Sequence, residues 1–288
     1  MDNKSASYTN KRGYLNKNFQ LFHLKDKLNQ EFELHYHDFN KIIIFLSGKV
    51  SYLIEGKSYK LKPWDILLVN SYEVHKPLID SNETYERIVL WVNSDFLTSH
   101  NSNEFDLLKC FKIASDYKIN LLRTDSYWIN VFEKLISQIE NNLKSEESGN
   151  DILSSSLFVQ FMVYINRLFI TYDISYESLD IEFDKSIEKI LDYINSNLCE
   201  NLTIDTLSCK FFMSKYYLMH KFKKQTGYTL HSYINQKRLI LASELIKKGI
   251  PTSSVCVKCG FNDYSTFVRA FKKMYHISPK SYMKNYTI

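Results

Sequence analysis

The sequence predicts a two-part protein, a β-barrel domain with two following helices and then an all-α basic domain. Three observations predict it. From about Phe19 to Val92 the chain consists of short alternating or wholly apolar runs broken by turn residues. From Tyr127 onward the apolar period lengthens to that of a helix. The charge divides in the same place: residues 184–288 hold 17 Lys and Arg against 7 Asp and Glu, a net +10, whereas residues 1–183 hold 20 against 25, a net −5. A cationic domain joined to an acidic one predicts a polyanion partner for the first and a different task for the second.

The runs FELHYH, KIIIFLSG, VSYLIEGKSYKL, DILLVN and ERIVLWVN read as strands, with Gly48, Gly56 and Pro63 as punctuation between them. YWINVFEKLISQIENNL and ILSSSLFVQFMVYINRLFITY read as helices separated by the polar KSEESGN. Their apolar stripes are Val131, Leu135 and Ile139 in the first, and Phe158, Phe161, Ile165 and Phe169 in the second. These stripes suit packing on the barrel or on a second copy of the chain. The acidic, aperiodic DISYESLDIEF reads as a linker. The expected organisation is thus 1–126 barrel, 127–172 helical dimerisation segment, 173–183 linker and 184–288 nucleic-acid domain.

With 288 residues, 44% of them hydrophobic, the chain can bury a core in each domain. No run of about 18 apolar residues is present, and the first residues lack the apolar stretch of a secretory signal. The cytoplasm is the expected compartment, with no membrane partner. Five cysteines, an odd number in a large chain, point to reduced thiols. Cys256 and Cys259 form a C-x-x-C, but no second pair or histidine follows at zinc-finger spacing, so both are expected in the core.

The basic half contains a repeat. SKYYLMHKFKKQTG over DYSTFVRAFKKMYH aligns Ser214 with Asp263, Leu218 with Phe267 and Phe222 with Phe271, at an offset of 49. Ser214 and Asp263 are good N-caps, because a side-chain oxygen accepts from the free amides of a first turn. Each is preceded by a shorter helical stretch, IDTLSCKF or TSSVCVKC, with a small residue, Ser208 or Cys256, where two helix backbones would approach. Short helix, tight turn and capped second helix make a helix-turn-helix, here twice. Around the second helices the outward faces carry Tyr216, His220 and Lys223 in one copy and Ser265, Arg269 and Lys272 in the other. Lysines neutralise phosphates, Arg269 can donate twice to a guanine edge, and Tyr216 and Met219 can pack on thymine methyls or bases. The helix between the copies spans about 27 Å, a spacer suited to successive major grooves about 34 Å apart.

YINSNL, SKYYLMHKFKKQTG, HSYINQKRLILASELI, GFNDYSTFVRAFKK and ISPKSY together resemble the AraC/XylS family of bacterial transcription regulators, over about residues 184–284. The resemblance implies a double helix-turn-helix whose second helices enter the major groove with Tyr216, Met219 and His220, and with Ser265, Thr266 and Arg269; Ser214, Lys215, Lys223 and Lys272 complete the expected DNA-binding residues. It also implies a homodimer, RNA polymerase as a partner and activation of transcription. Two departures are visible: His276 stands where the family has glycine, and Met283 where it has arginine.

HYHDFNKIIIFLSG resembles the first cupin motif and KPWDILLVNSYEVH a looser second one. In metal-binding cupins two histidines, a glutamate and a later histidine converge. Here His35, His37 and His75 are present, but Lys41 stands in the glutamate place. A cation there disfavours a divalent ion, so neither metal nor cofactor is expected, although three histidines can suffice for zinc. Regulators of this family hold a small effector, often a sugar, in the same barrel. By alternation Glu33, His35 and His37 share one strand face, and Arg87, Val89 and Trp91 another. Glu33, His35, His37, His75, Arg87 and Trp91 are therefore the candidate effector residues, suited to a polyhydroxylated ligand or simply filling the barrel mouth. No nucleophile and base lie at a recognisable spacing and no phosphate-cradling glycine loop is visible, so no enzymatic activity is expected. The competing reading is a metal-dependent cupin enzyme with a basic nucleic-acid anchor.

Overall fold

The computed structural model describes residues 15, 17–27, 32, 35–80, 82–171 and 181–286. It divides into two compact units that meet between Glu182 and Phe183. The first unit has two antiparallel sheets. One orders β1 (Phe19–Asp26), β7 (Tyr85–Val92), β2 (Asn40–Ser47), β5 (Ile66–Val69) and β8 (Leu121–Leu122); the other orders β6 (His75–Ile79), β3 (Val50–Ile54), β4 (Lys57–Lys60) and β9 (Ile181–Glu182).

Strand β2, NKIIIFLS, has both faces covered, which is why it reads as an apolar run without alternation. Ile43 and Phe45 point between the sheets with Tyr52, Tyr59, Leu67 and Tyr85. Ile42 and Ile44 point the other way, into a core shared with Leu90 and the helices. Those helices are α1 (Ser94–Ser99), α2 (Lys109–Tyr117), α3 (Ser126–Lys144) and α4 (Asn150–Thr171). Leu135, Ile139, Phe158, Phe161, Ile165 and Phe169 are all buried in that core, and Val131 packs partly against it. The two apolar stripes are therefore occupied within the protomer, so they are not the surface for a second copy. Helix α4 is long and apolar enough to cross a membrane by composition, yet those phenylalanines are core residues of the barrel unit.

Several elements differ from the sequence reading. Strands β6 and β8 and helices α1 and α2 were not anticipated. Of the expected linker, 173–180 lies outside the described residues, while Ile181 and Glu182 pair with Tyr59 and Ser58. Ile181 packs on the inter-sheet core, which gives this end of the segment an apolar reason to add a strand. Of FELHYH, residues 33–34 lie outside the described set, and His35 makes an isolated antiparallel bridge to His75.

The second unit is all helix: α5 (Lys185–Ser196), α6 (Ile204–Lys210), α7 (Lys215–Thr226), α8 (Leu230–Lys247), α9 (Thr252–Lys258), α10 (Tyr264–Tyr275) and α11 (Pro279–Tyr286). Helices α7, α9, α10 and α11 all pack on α8. The repeat is real but not uniform. Helices α6 and α9 start 48 residues apart, whereas α7 and α10 start 49 apart, so the second turn is one residue longer. The left-handed residue of the first turn is Phe212, at φ 53, and that of the second is Gly260, at φ 75. Glycine suits the second turn twice over, since a Cβ at 260 would lie 2.5 Å from the Leu198 carbonyl oxygen.

Candidate functional site

Both expected caps form. Ser214 Oγ accepts from the Tyr217 amide at 3.2 Å, and Asp263 Oδ1 from the Thr266 amide at 2.6 Å. Each cap leaves the next two turns free to present side chains. Leu218 and Phe222 in α7, and Phe267, Phe271 and Met274 in α10, turn into the core. Ser214, Lys215, Tyr216, Met219, His220 and Lys223 are exposed, as are Ser265, Thr266, Arg269 and Lys272. The Tyr216 ring lies nearly parallel to that of His220, with centroids 6.1 Å apart. Arg269 Nη2 donates to Thr266 Oγ1 at 3.3 Å, which steadies the guanidinium without covering it. Lys215 differs from its neighbours, because its amine pairs with Asp205 of α6. Cys256 and Cys259 are buried free thiols, and burial pushes Cys259 up to about 12, so neither is poised for chemistry.

The barrel holds a cavity of about 330 Å3 between the sheets. Register places its wall. Trp91 lies opposite Lys41, Val89 opposite Ile43 and Phe22, and Arg87 opposite Leu24, so these side chains share the inner face. Tyr52 and Pro77, from the second sheet, line the cavity as well, and the buried His35 and His37 complete its lining. Trp91 stacks obliquely on Phe39 and Phe22, with centroids 4.7 and 4.9 Å away, giving a fixed aromatic wall. Arg87 is already engaged, bound to Asp26 at 2.6 Å and lying 4.3 Å over the Tyr85 ring. Glu33 lies outside the described residues.

His75 does not line the cavity but joins the other two histidines behind it. The His35–His75 bridge brings the three side chains together, so that one nitrogen from each lies within 4.8 Å of the others. His75 Nδ1 donates to the Glu73 carbonyl at 2.9 Å, which leaves Nε2 as the lone-pair nitrogen. That atom is buried and without a hydrogen-bond partner. Burial first, and then the positive charge of Lys41, hold His75 well below the usual imidazole range, so it stays neutral.

Residues 21–162 match the AraC-like ligand binding domain, and residues 207–285 match a helix-turn-helix domain of the same regulators. The chain belongs to the AraC family. It is a DNA-binding regulator with a ligand-binding domain. Among solved structures, it is similar to ToxT from Vibrio cholerae at 19% identity, over 94% of this chain and all of that one, with a TM-score of 0.35. The C-terminal domain of the response regulator yesN from Fusobacterium nucleatum matches at 31% identity, over 35% of this chain and 99% of that one, with a TM-score of 0.34. The DNA-binding domain of AdpA, solved with a target DNA, matches at 20% identity over 36% and 94%, with a TM-score of 0.35. These superposition scores are low, and membership rests on the two domain matches. No curated protein matches.

The three-histidine cluster sits beside the positive charge of Lys41. The donor set fits a tetrahedral ion with one position open, and the Glu73 carbonyl fixes the tautomer a ligating His75 needs. A bound ion would supply Lewis acidity at that open position. Lys41, in the cavity wall, would then favour an anionic fourth ligand. Tyr52, Phe22, Leu24 and Tyr85 line the cavity but were missed in the sequence. Their strands were recognised or adjacent, yet which face looks inward depends on a register that only sheet pairing fixes.

Proposed function

We propose that this AraC-family chain is an effector-responsive transcription regulator in the cytoplasm. It binds double-stranded DNA through α7 and α10 as a homodimer, and a small polyhydroxylated effector such as a sugar in the barrel. The observation that carries the reading is the pair of capped helices, packed on one spacer helix, whose exposed faces repeat a lysine pair, Lys223 and Lys224 in one and Lys272 and Lys273 in the other, at a fixed offset. The cavity supports an effector through its aromatic wall at Trp91 and the imidazoles in its lining. Exposed apolar residues on α3 and α4, including Leu143, Ile152, Leu153 and Ile170, support a second copy as partner. Activation, with RNA polymerase as a partner, rests on the family resemblance alone. The test is gel-shift titration of the whole chain against its own upstream DNA. Arg269→Ala should cost about 1–3 kcal/mol and relax one base position. Undiminished sequence preference in both Arg269→Ala and His220→Ala would remove the proposal. Calorimetric titration with sugars tests the barrel, where Trp91→Ala should weaken any saturable binding.

The imidazole cluster favours a second reading, a metal-dependent barrel with the basic unit as an anchor. Metal analysis of the purified chain separates the two. Stoichiometric zinc, iron or manganese that is lost in His75→Ala supports this reading. A metal-free protein with full DNA affinity ends it.

A further inference from the structure

The two DNA-facing helices place different chemistry at equivalent positions. Outward positions of α7 hold Tyr216, Met219, His220 and Lys223, and those of α10 hold Ser265, Val268, Arg269 and Lys272. Lys223 and Lys272 are alike, both exposed and both suited to phosphate, so they do not distinguish the halves. The other three positions do. Tyr216 is 77% exposed and Met219 40%, and the rings of Tyr216 and His220, nearly parallel with centroids 6.1 Å apart, make an exposed aromatic pair. Phe212, at the turn that leads into α7, is 96% exposed on a left-handed backbone, where the second copy uses Gly260. A bulky residue is strained there, and such strain is retained at working surfaces. In α10 the aromatic pair is replaced by Ser265 and by Arg269, Val268 is half-buried, and Tyr264, 38% exposed at the first position of the helix, is tied back to Thr252 through its hydroxyl.

The major groove offers a partner for each face. Its apolar feature is the C5-methyl of thymine, whereas a guanidinium finds its best pair of acceptors on guanine O6 and N7. The aromatic pair lies on the same helix as Lys223 and Lys224, both exposed, and cations beside it suit a polyanion rather than an apolar protein face. We propose that this chain reads an operator of two unlike halves: α7 packs Tyr216 and Met219 on thymine methyls, while α10 reads guanine through Arg269. The inference rests on the DNA-binding reading above. It adds which base feature each helix recognises.

The experiment selects sites for the whole chain from random-sequence DNA, then replaces thymine by uracil, half by half. Uracil pairs like thymine but lacks the methyl. In one half each contacted methyl should be worth about fourfold in affinity, the value of one buried CH2 group. That sensitivity should disappear in Tyr216→Ala and shrink in Met219→Ala. The other half should ignore uracil and respond instead to 7-deazaguanine, a response lost in Arg269→Ala. If uracil has no effect in either half, or the penalty persists undiminished in Tyr216→Ala and Met219→Ala, the proposal is overturned. Failure to enrich any sequence would overturn the DNA-binding reading itself, an outcome distinct from enrichment without methyl sensitivity.

Discussion

His276 ends α10 in the left-handed region at φ 65, in the place where Gly227 ends α7 at φ 77. An L side chain there is held against its preference, and glycine is not. His276→Gly should therefore stabilise the chain by about 1 kcal/mol, read as a shift of the urea midpoint for the second unit. A destabilised variant would show that the imidazole makes a contact worth more than the strain. The position was legible in the sequence as a departure from the family's glycine, because the repeat aligned it with Gly227. Phe212 was not legible. Both turns place a left-handed residue two positions after the short helix, but in the first that residue is a phenylalanine, a type that does not signal such a backbone.

Between elements, a charge link of the second unit joins the start of α5 to α7. Lys221 Nζ lies 2.9 Å from Asp184 Oδ2 and donates to Ser186 Oγ at 2.7 Å. Asp184 is also the N-cap of α5. Partial burial pushes its carboxyl upward, but hydrogen bonds from Ser186, from Lys221 and from the helix amides outweigh this and hold it at about 2. A depressed carboxylate contributes stability above the ordinary range near pH ~4, and loses it as pH falls through about 2. Asp184→Asn keeps an N-cap and removes the charge. It should lower stability at pH 7 by up to about 1 kcal/mol, with the gap closing as unfolding is measured toward pH 2. A gap independent of pH would assign the loss to capping. Long elements such as α3, α4, α7, α8 and α10 were legible because several turns average out single residues. Strand β8, two residues long, and α1, six, have no room for a period. β8 exists because Asn120 anchors it, donating to the Leu68 carbonyl at 2.7 Å and accepting from the Tyr59 hydroxyl at 3.1 Å.

At the scale of the whole molecule, the homodimer proposed above would join two basic units, and such joining multiplies affinity without any new contact. The surface for that joining cannot be the α3 and α4 stripes that sequence periodicity identifies, since those fill the barrel unit's own core. What remains outward is a second set: Tyr127 at 67% exposed, Leu143 at 50%, Ile152 at 67%, Leu153 at 54% and Ile170 at 45%. Periodicity finds the stripe with the most apolar residues, and in a helix covering a barrel that stripe is spent inside. The double variant Ile152→Asp, Leu153→Asp separates the two uses of the helices. Both side chains are largely exposed in the protomer, so thermal unfolding of the monomer should change little, by about 0.5 kcal/mol per site. Sedimentation should report a monomer, and affinity for a two-site DNA should fall by about 10²-fold or more, while affinity for a single site stays at the parent level. A variant that still sediments as a dimer would move the interface off α4, and one that is monomeric with undiminished two-site affinity would show that a single basic unit suffices.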